Sequence, residues 1–124
     1  MLARTSFVLV TLLAACGGDD GDSKPTPDAP PSAATVALVD PCPASPDATI
    51  TTKLSAFDPP ATTITQGQVV KFVSTPTHPV KAKAGTDPKL AVPENATRCF
   101  RFTSPGAYTF ECTTHNYSGS ITVN

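Results

Sequence analysis

The apolar residues of this 124-residue chain are arranged in two ways. Near the start, Phe7 to Ala15 forms one short apolar core. From residue 36 onward, apolar and polar residues alternate in short runs separated by Gly, Pro, Asp and Ser. That second pattern is the signature of half-buried strands. Thr35 to Val39 predicts a first short strand or edge segment, broken by Asp40-Pro41-Cys42-Pro43. Ala48 to Leu54 alternates with Ile50 and Leu54 inward. Asp58-Pro59-Pro60 is a turn. Thr62 to Thr65 leads through Gln66-Gly67 into Val69 to Val73, the strongest internal strand. Pro76 and Pro79 flank His78 and stiffen its loop by fixing backbone angles. Val80 to Ala84 predicts a further strand, and Gly85 to Asn95 a loop. Arg98 to Phe102 and Ala107 to Glu111 predict a hairpin around Ser104-Pro105-Gly106, and Ser120 to Val123 closes the sheet. No helical period is sustained outside the N-terminal segment. The pattern predicts an all-β fold, a Greek-key β-sandwich of about seven strands.

The N-terminal segment reads as a targeting signal. Arg4 precedes an apolar core too short to span a bilayer. It ends in Leu13-Ala14-Ala15-Cys16, which resembles the bacterial lipobox. The resemblance implies that residues 1–15 are removed and that Cys16 carries a lipid. An ordinary secretory signal cut near Ala15 is the alternative. Residues 16–35 are rich in Gly, Asp, Ser and Pro, have little apolar surface to bury, and predict a disordered, extended linker. Residues 36–124 then form the folded domain. The expected location is the bacterial cell envelope, on a membrane facing the periplasm or the exterior.

Charge narrows the partners. The whole chain carries a formal net charge of −1. The linker is acidic, and the domain is close to neutral with no basic stripe, so no nucleic-acid partner is expected. Lys81, Lys83 and Lys89 follow His78 and read as solvated lysines before a docking ring. No nucleophile paired with a base, no carboxylate pair and no phosphate-binding loop is present, so the chain is not expected to be an enzyme.

The chemistry gathers in three residues. The chain has two histidines, His78 and His115, and Cys112 stands three residues before the second. Taken singly, each has a bland reading: two loop histidines and a small buried cysteine. Together, a soft thiolate and two imidazoles form the donor set of copper electron-transfer sites. Zinc accepts the same donors. The segments Gly67-Gln68-Val69-Val70-Lys71-Phe72-Val73, His78-Pro79-Val80 and Pro105-Gly106-Ala107-Tyr108-Thr109-Phe110-Glu111-Cys112-Thr113-Thr114-His115 resemble the plastocyanin branch of the cupredoxins, over residues 60–124. The resemblance implies a monomeric carrier that holds one copper ion through His78, Cys112 and His115 and exchanges electrons with a redox protein. It further implies that Tyr108 and Phe110 pack beneath the metal and that electrons pass through an exposed edge of His115. A copper storage or delivery protein and a metal-free cupredoxin-like binding module are the alternatives.

This chain departs from the family at one ligand. Cupredoxins of this branch add a methionine shortly after the second histidine as a weak axial donor, but the only methionine here is Met1. The axial candidates are the backbone carbonyl of Thr77, the hydroxyl of Ser118 or Ser120, Tyr117, or no group at all. Gly119, four residues beyond His115, is expected to let the chain reverse.

The cysteines follow from strand parity. Of four cysteines, lipidation would remove Cys16. Tyr108, Phe110 and Cys112 share one strand face, and Phe100 and Phe102 share another. Burying the aromatics together in the predicted hairpin sets Phe102 opposite Tyr108 and Phe100 opposite Phe110, and turns Cys99 away from Cys112. Cys42 and Cys99 are then the disulfide pair, which an oxidising compartment permits. Closing so long a loop stabilises the fold by about 2–4 kcal/mol. Cys112 is left free for a metal.

Overall fold

Alternating apolar residues build strands here, and the two faces of each strand decide the layering. The structure is a computed structural model and describes residues 35–124. Cys16, the signal segment and almost all of the linker lie outside the described residues. The described residues contain ten strands and no helix: β1 (Val36–Val39), β2 (Ala48–Thr52), β3 (Phe57–Asp58), β4 (Ala61–Ile64), β5 (Val69–Val73), β6 (Val80–Ala82), β7 (Ala91–Val92), β8 (Thr97–Phe102), β9 (Gly106–Cys112) and β10 (Tyr117–Val123). They form two five-stranded sheets, ordered β1-β8-β5-β2-β3 and β4-β10-β9-β6-β7. Each sheet is mixed, because β2 runs parallel to β5 and β4 parallel to β10.

The core lies between the sheets. Ile50, Val70, Phe72, Phe100 and Phe102 of the first sheet meet Val80, Phe110, Ile121 and Val123 of the second. Phe72 is the hub, with its ring edge-on to Phe100 at 5.9 Å and to Phe110 at 5.2 Å. Such edge-to-face pairs add about 0.5–1.5 kcal/mol each beyond the area they bury.

Three expectations are corrected. The strands outnumber the expected seven because β3 and β7 are two-residue pieces in stretches dominated by turn residues. Leu54 is not inward: β2 ends at Thr52, and Leu54 sits in the following turn, 77% exposed. Most important, β8 and β9 are not a hairpin. They belong to opposite sheets, and the Ser104-Pro105 stretch carries the chain across. Phe102 does meet Tyr108, edge-on at 4.9 Å, but through the core and not across a ladder. The Tyr108 hydroxyl donates to the Ser104 carbonyl at 2.6 Å and pins this crossing.

The disulfide survives the change of geometry. Cys99 alternates with Phe100 and so points to the outer side of its sheet, where it is nonetheless buried, whereas Cys112 belongs to the core between the sheets. Cys42 and Cys99 are bonded, with Cα atoms 5.3 Å apart, and Cys112 is the free cysteine. Val39 pairs with Cys99 across β1 and β8, which brings the segment after β1 over that outer face.

The start of the domain is held by one carboxylate. Asp87 Oδ2 accepts from the Thr35 N–H at 2.9 Å and the Val36 N–H at 3.1 Å, while Oδ1 accepts from the Lys89 N–H at 3.0 Å. Partial burial pushes this carboxyl up, but the backbone donors and the Lys89 charge outweigh it, and the group is held below its ordinary value. Asp87→Ala should therefore cost about 1–2 kcal/mol near neutral pH, allowing for the partial exposure. A group with a lowered folded pKa contributes fully above its unfolded value and loses that contribution as pH falls through the folded one. Urea midpoints of parent and variant should thus differ at pH 7 and converge in strong acid. A gap that persists unchanged in acid would assign the effect to packing instead.

Candidate metal centre

Strand register builds this site. Inward alternation of Tyr108 and Phe110 on β9 makes Cys112 inward too, and it is fully buried. Cys112 ends β9 and pairs with Val80, the first residue of β6, and with Tyr117, the first residue of β10. Three strand ends therefore meet at one end of the second sheet. The turn before β6 supplies His78, and the turn before β10 supplies His115.

Both turns are tightly held. The His78 N–H donates to the Thr75 carbonyl at 3.1 Å, with Pro76 second in the turn and Thr77 third at φ 66°. That arrangement has the marks of a type II turn, with a β-branched residue where glycine is usual. Ser74 Oγ donates to the His78 carbonyl at 2.8 Å, and the Thr75 N–H donates to Thr52 Oγ1 at 2.8 Å, which ties the turn to the first sheet. In the other turn, the Asn116 N–H donates to the Cys112 carbonyl at 2.9 Å, and Asn116 takes φ 59°.

The structure brings the three sequence-derived donors together. Cys112 Sγ lies 3.7 Å from His78 Nδ1 and 3.9 Å from His115 Nδ1. The candidate ligand atoms of the three residues all fall within 4.8 Å of one another. A metal about 2.0–2.1 Å from imidazole nitrogen and about 2.3 Å from thiolate sulfur, at trigonal angles, needs nitrogen and sulfur about 3.8 Å apart. The donor spacing fits that requirement, so the group can hold a metal ion. Burial is graded across it: Cys112 and His78 are buried, His78 being 6% exposed, and His115 is exposed. The imidazole rings stack with centroids 4.2 Å apart.

The remaining candidates separate clearly. Ser118 pairs with Glu111 on the face of β10 away from Cys112, and its Oγ lies 3.3 Å from Lys83 Nζ. Ser120 shares that face. Neither hydroxyl is aimed at the three donors. Thr77 stands next to His78 and is itself exposed. Tyr117 is directly at the centre: its hydroxyl is 2.5 Å from the Lys53 carbonyl and 3.2 Å from His78 Nδ1. Burial, followed by the hydrogen bond to Cys112 and its charge, pushes the phenol up to about 12.

The packing beneath the site also differs from expectation. Phe110 lies there, but Tyr108 is engaged with Phe102 and Ser104. Phe57 takes the second place, edge-on to Phe110 at 4.7 Å and to Tyr117 at 4.9 Å. Phe57 sits in a two-residue strand, too short to show a period. Its only sequence signal is that of an isolated aromatic before a proline turn.

Comparison with known proteins addresses the fold. No protein-family model and no curated protein matches this sequence. Among solved structures, amicyanin from Paracoccus versutus is 19% identical, with a TM-score of 0.57 over 73% of this chain and 98% of that one. The Cu(I) form of an amicyanin mutant is 19% identical, with a TM-score of 0.60 over 73% of this chain and 99% of that one. An oxidised amicyanin mutant is 20% identical, with a TM-score of 0.56 over the same shares. The fold is that of the cupredoxins.

In this cupredoxin fold, Gly119 has a role other than reversing the chain, which Asn116 does. Gly119 lies inside β10 opposite Phe110. A Cβ there would come within 2.6 Å of Phe110 Cε2, 2.8 Å of its Cζ and 3.0 Å of Phe57 Cδ2. The glycine leaves the space that these two mutually edge-on rings occupy. Gly119→Ala should destabilise the metal-free protein by about 1–3 kcal/mol, read from its denaturation midpoint. An unchanged midpoint would show that the rings move aside freely.

Proposed function

We propose that this protein is a single-copper electron carrier, held to a membrane of the bacterial cell envelope by a lipid on Cys16. The carrying observation is the convergence of a buried, unbridged thiol with two imidazole nitrogens from separate turns. Copper bound there would supply a one-electron couple, since thiolate suits Cu(I) and imidazole suits both oxidation states. Solved structures with this fold include oxidised and Cu(I) forms of amicyanin, which supports the redox reading.

Each residue has a distinct task in that reading. Cys112 gives up its proton and presents a thiolate, and both histidines present neutral Nδ1 atoms. The hydrogen-bonded turns hold these donors in place, so a change of charge requires little movement. Phe57 and Phe110 exclude water from below. His115, alone of the three in being exposed, offers the route by which an electron enters or leaves. The segment Leu13-Ala14-Ala15-Cys16 and the Pro/Asp-rich linker support a monomeric domain on a tether, free to meet a redox protein partner.

The test is loading the purified full chain with Cu(II). One ion per chain and an intense visible thiolate band are expected, followed by reversible reduction. Cys112→Ser should abolish the band, and His78→Ala should weaken uptake at least tenfold. Colour and uptake unchanged in Cys112→Ser would overturn the assignment. Tight binding without reversible reduction would instead favour storage or delivery.

The anchor is tested separately. Cys16→Ser should shift the protein from the membrane fraction to the soluble fraction. A parent protein that is already soluble with an unmodified N-terminus would remove the lipid from this account.

A further inference from the structure

The three donors leave one coordination position unassigned, and no methionine stands in the loop after His115 to fill it. Tyr117 approaches the donors from β10, with its hydroxyl 3.2 Å from His78 Nδ1. It is the cross-strand neighbour of Cys112, so the two side chains stand on the same face of the sheet. Its ring is fixed by Phe57 at 4.9 Å. Its hydroxyl has one proton and three neighbours, Cys112 among them. The nearest is the Lys53 carbonyl, at 2.5 Å, which can only accept. The phenol proton is therefore committed to Lys53, and the oxygen lone pairs are left toward His78 Nδ1, 3.2 Å away. The oxygen is closer to that nitrogen than Cys112 Sγ is, at 3.7 Å. In the metal-free protein Nδ1–H can donate to the phenol oxygen. Once Nδ1 turns its lone pair to a metal, that hydrogen bond is gone and the oxygen is free to be a fourth donor.

We infer that the Tyr117 phenol oxygen, protonated and hydrogen-bonded to the Lys53 carbonyl, is the weak fourth ligand of the copper. The inference rests on the copper reading above and adds the donor that sets the site's redox balance. A neutral oxygen is harder than a thioether sulfur and favours Cu(II) over Cu(I). Removing it should shift the balance toward Cu(I). The backbone carbonyl of Thr77, beside His78, is the competing donor, and a side-chain change at 117 would leave it in place.

The experiment uses the full chain loaded with one equivalent of Cu(II), as parent, Tyr117→Phe, Tyr117→Met and Tyr108→Phe. Tyr117→Phe keeps the ring on Phe57 and removes only the hydroxyl. It should still bind one copper, move the thiolate band and the EPR parameters, and favour Cu(I) at least tenfold more than the parent does. For one electron that is a rise in potential of about 59 mV or more. Tyr117→Met, which supplies a thioether at the same place, should shift the balance in the same direction. Tyr108→Phe loses another tyrosine hydroxyl bond to a backbone carbonyl, that of Ser104, at the crossing between the sheets. It should lower thermal stability and leave spectrum and potential unmoved.

If band, EPR and potential are unchanged in Tyr117→Phe, or in Tyr117→Met should the first variant fail to fold, the phenol is not a ligand and the Thr77 carbonyl takes its place. A folded Tyr117→Phe protein that takes up no copper also overturns a weak fourth ligand. A parent that takes up no copper sinks the copper reading itself, a result distinct from either.

Discussion

Cys112 points into the sandwich because Tyr108 and Phe110 do, and the candidate metal centre depends on that parity. Side chains alternate along a strand, so a slip of one residue in β9 would turn the thiol to solvent and expose two buried aromatics. The register is fixed on both flanks, by Val80 on β6 and Tyr117 on β10. It is fixed again by shape, since only Gly119 leaves room for the Phe110 ring. The histidines need no strand of their own. Each sits in a turn that enters a strand beside Cys112, so the pairing that buries the sulfur also delivers the imidazoles.

Much of this was legible because the deciding signals are local. The spacing of Cys112 and His115 lies within one turn, and His78 is marked by flanking prolines and by being the only other histidine. The Cys42–Cys99 bridge was also reachable, through a conclusion sounder than the geometry that suggested it. Period-two alternation tells which face a side chain takes but not which strand lies next to it. Cys99 and Cys112 face apart whether β8 and β9 form a hairpin or lie in opposite sheets. The same limit explains the failures. Nothing in the Arg98–Glu111 stretch says that the chain changes sheets at Ser104-Pro105. Ser118 reads as a nearby hydroxyl until its register partner, Glu111, places it on the outer face. Gly119 reads as a turn residue because a close approach of rings leaves no trace in its own neighbourhood. Leu54 fits an alternation that the strand does not extend far enough to use.

Burial divides the work between the two histidines. His78 is enclosed, with its carbonyl and its turn hydrogen-bonded to Ser74, Thr75 and Thr52. His115 is exposed in a turn of four residues, held mainly by one backbone bond and its sulfur neighbour. The proposed carrier role would need both properties in one site. A rigid enclosed side keeps the donors from rearranging with charge, and an open side allows electron exchange without a moving lid.

The two tyrosines close the two ends of the sandwich, and the comparison shows what sets the metal end apart. Tyr108 spans the crossing from β8 to β9 with a hydroxyl bonded to the Ser104 carbonyl, a contact that serves the fold. Tyr117 makes the same kind of bond to the Lys53 carbonyl, and this too crosses between the sheets, since Lys53 follows β2 and Tyr117 opens β10. Phe57 reinforces the closure from β3 by packing on both Phe110 and Tyr117. The difference is the second neighbour. Tyr108 meets a phenyl ring, whereas the Tyr117 oxygen meets His78 Nδ1. The clasp that joins the sheets at this end therefore also fixes a polar atom among the donors. Stability of the closure and geometry of the site are the same set of contacts, and a change that loosens one loosens the other.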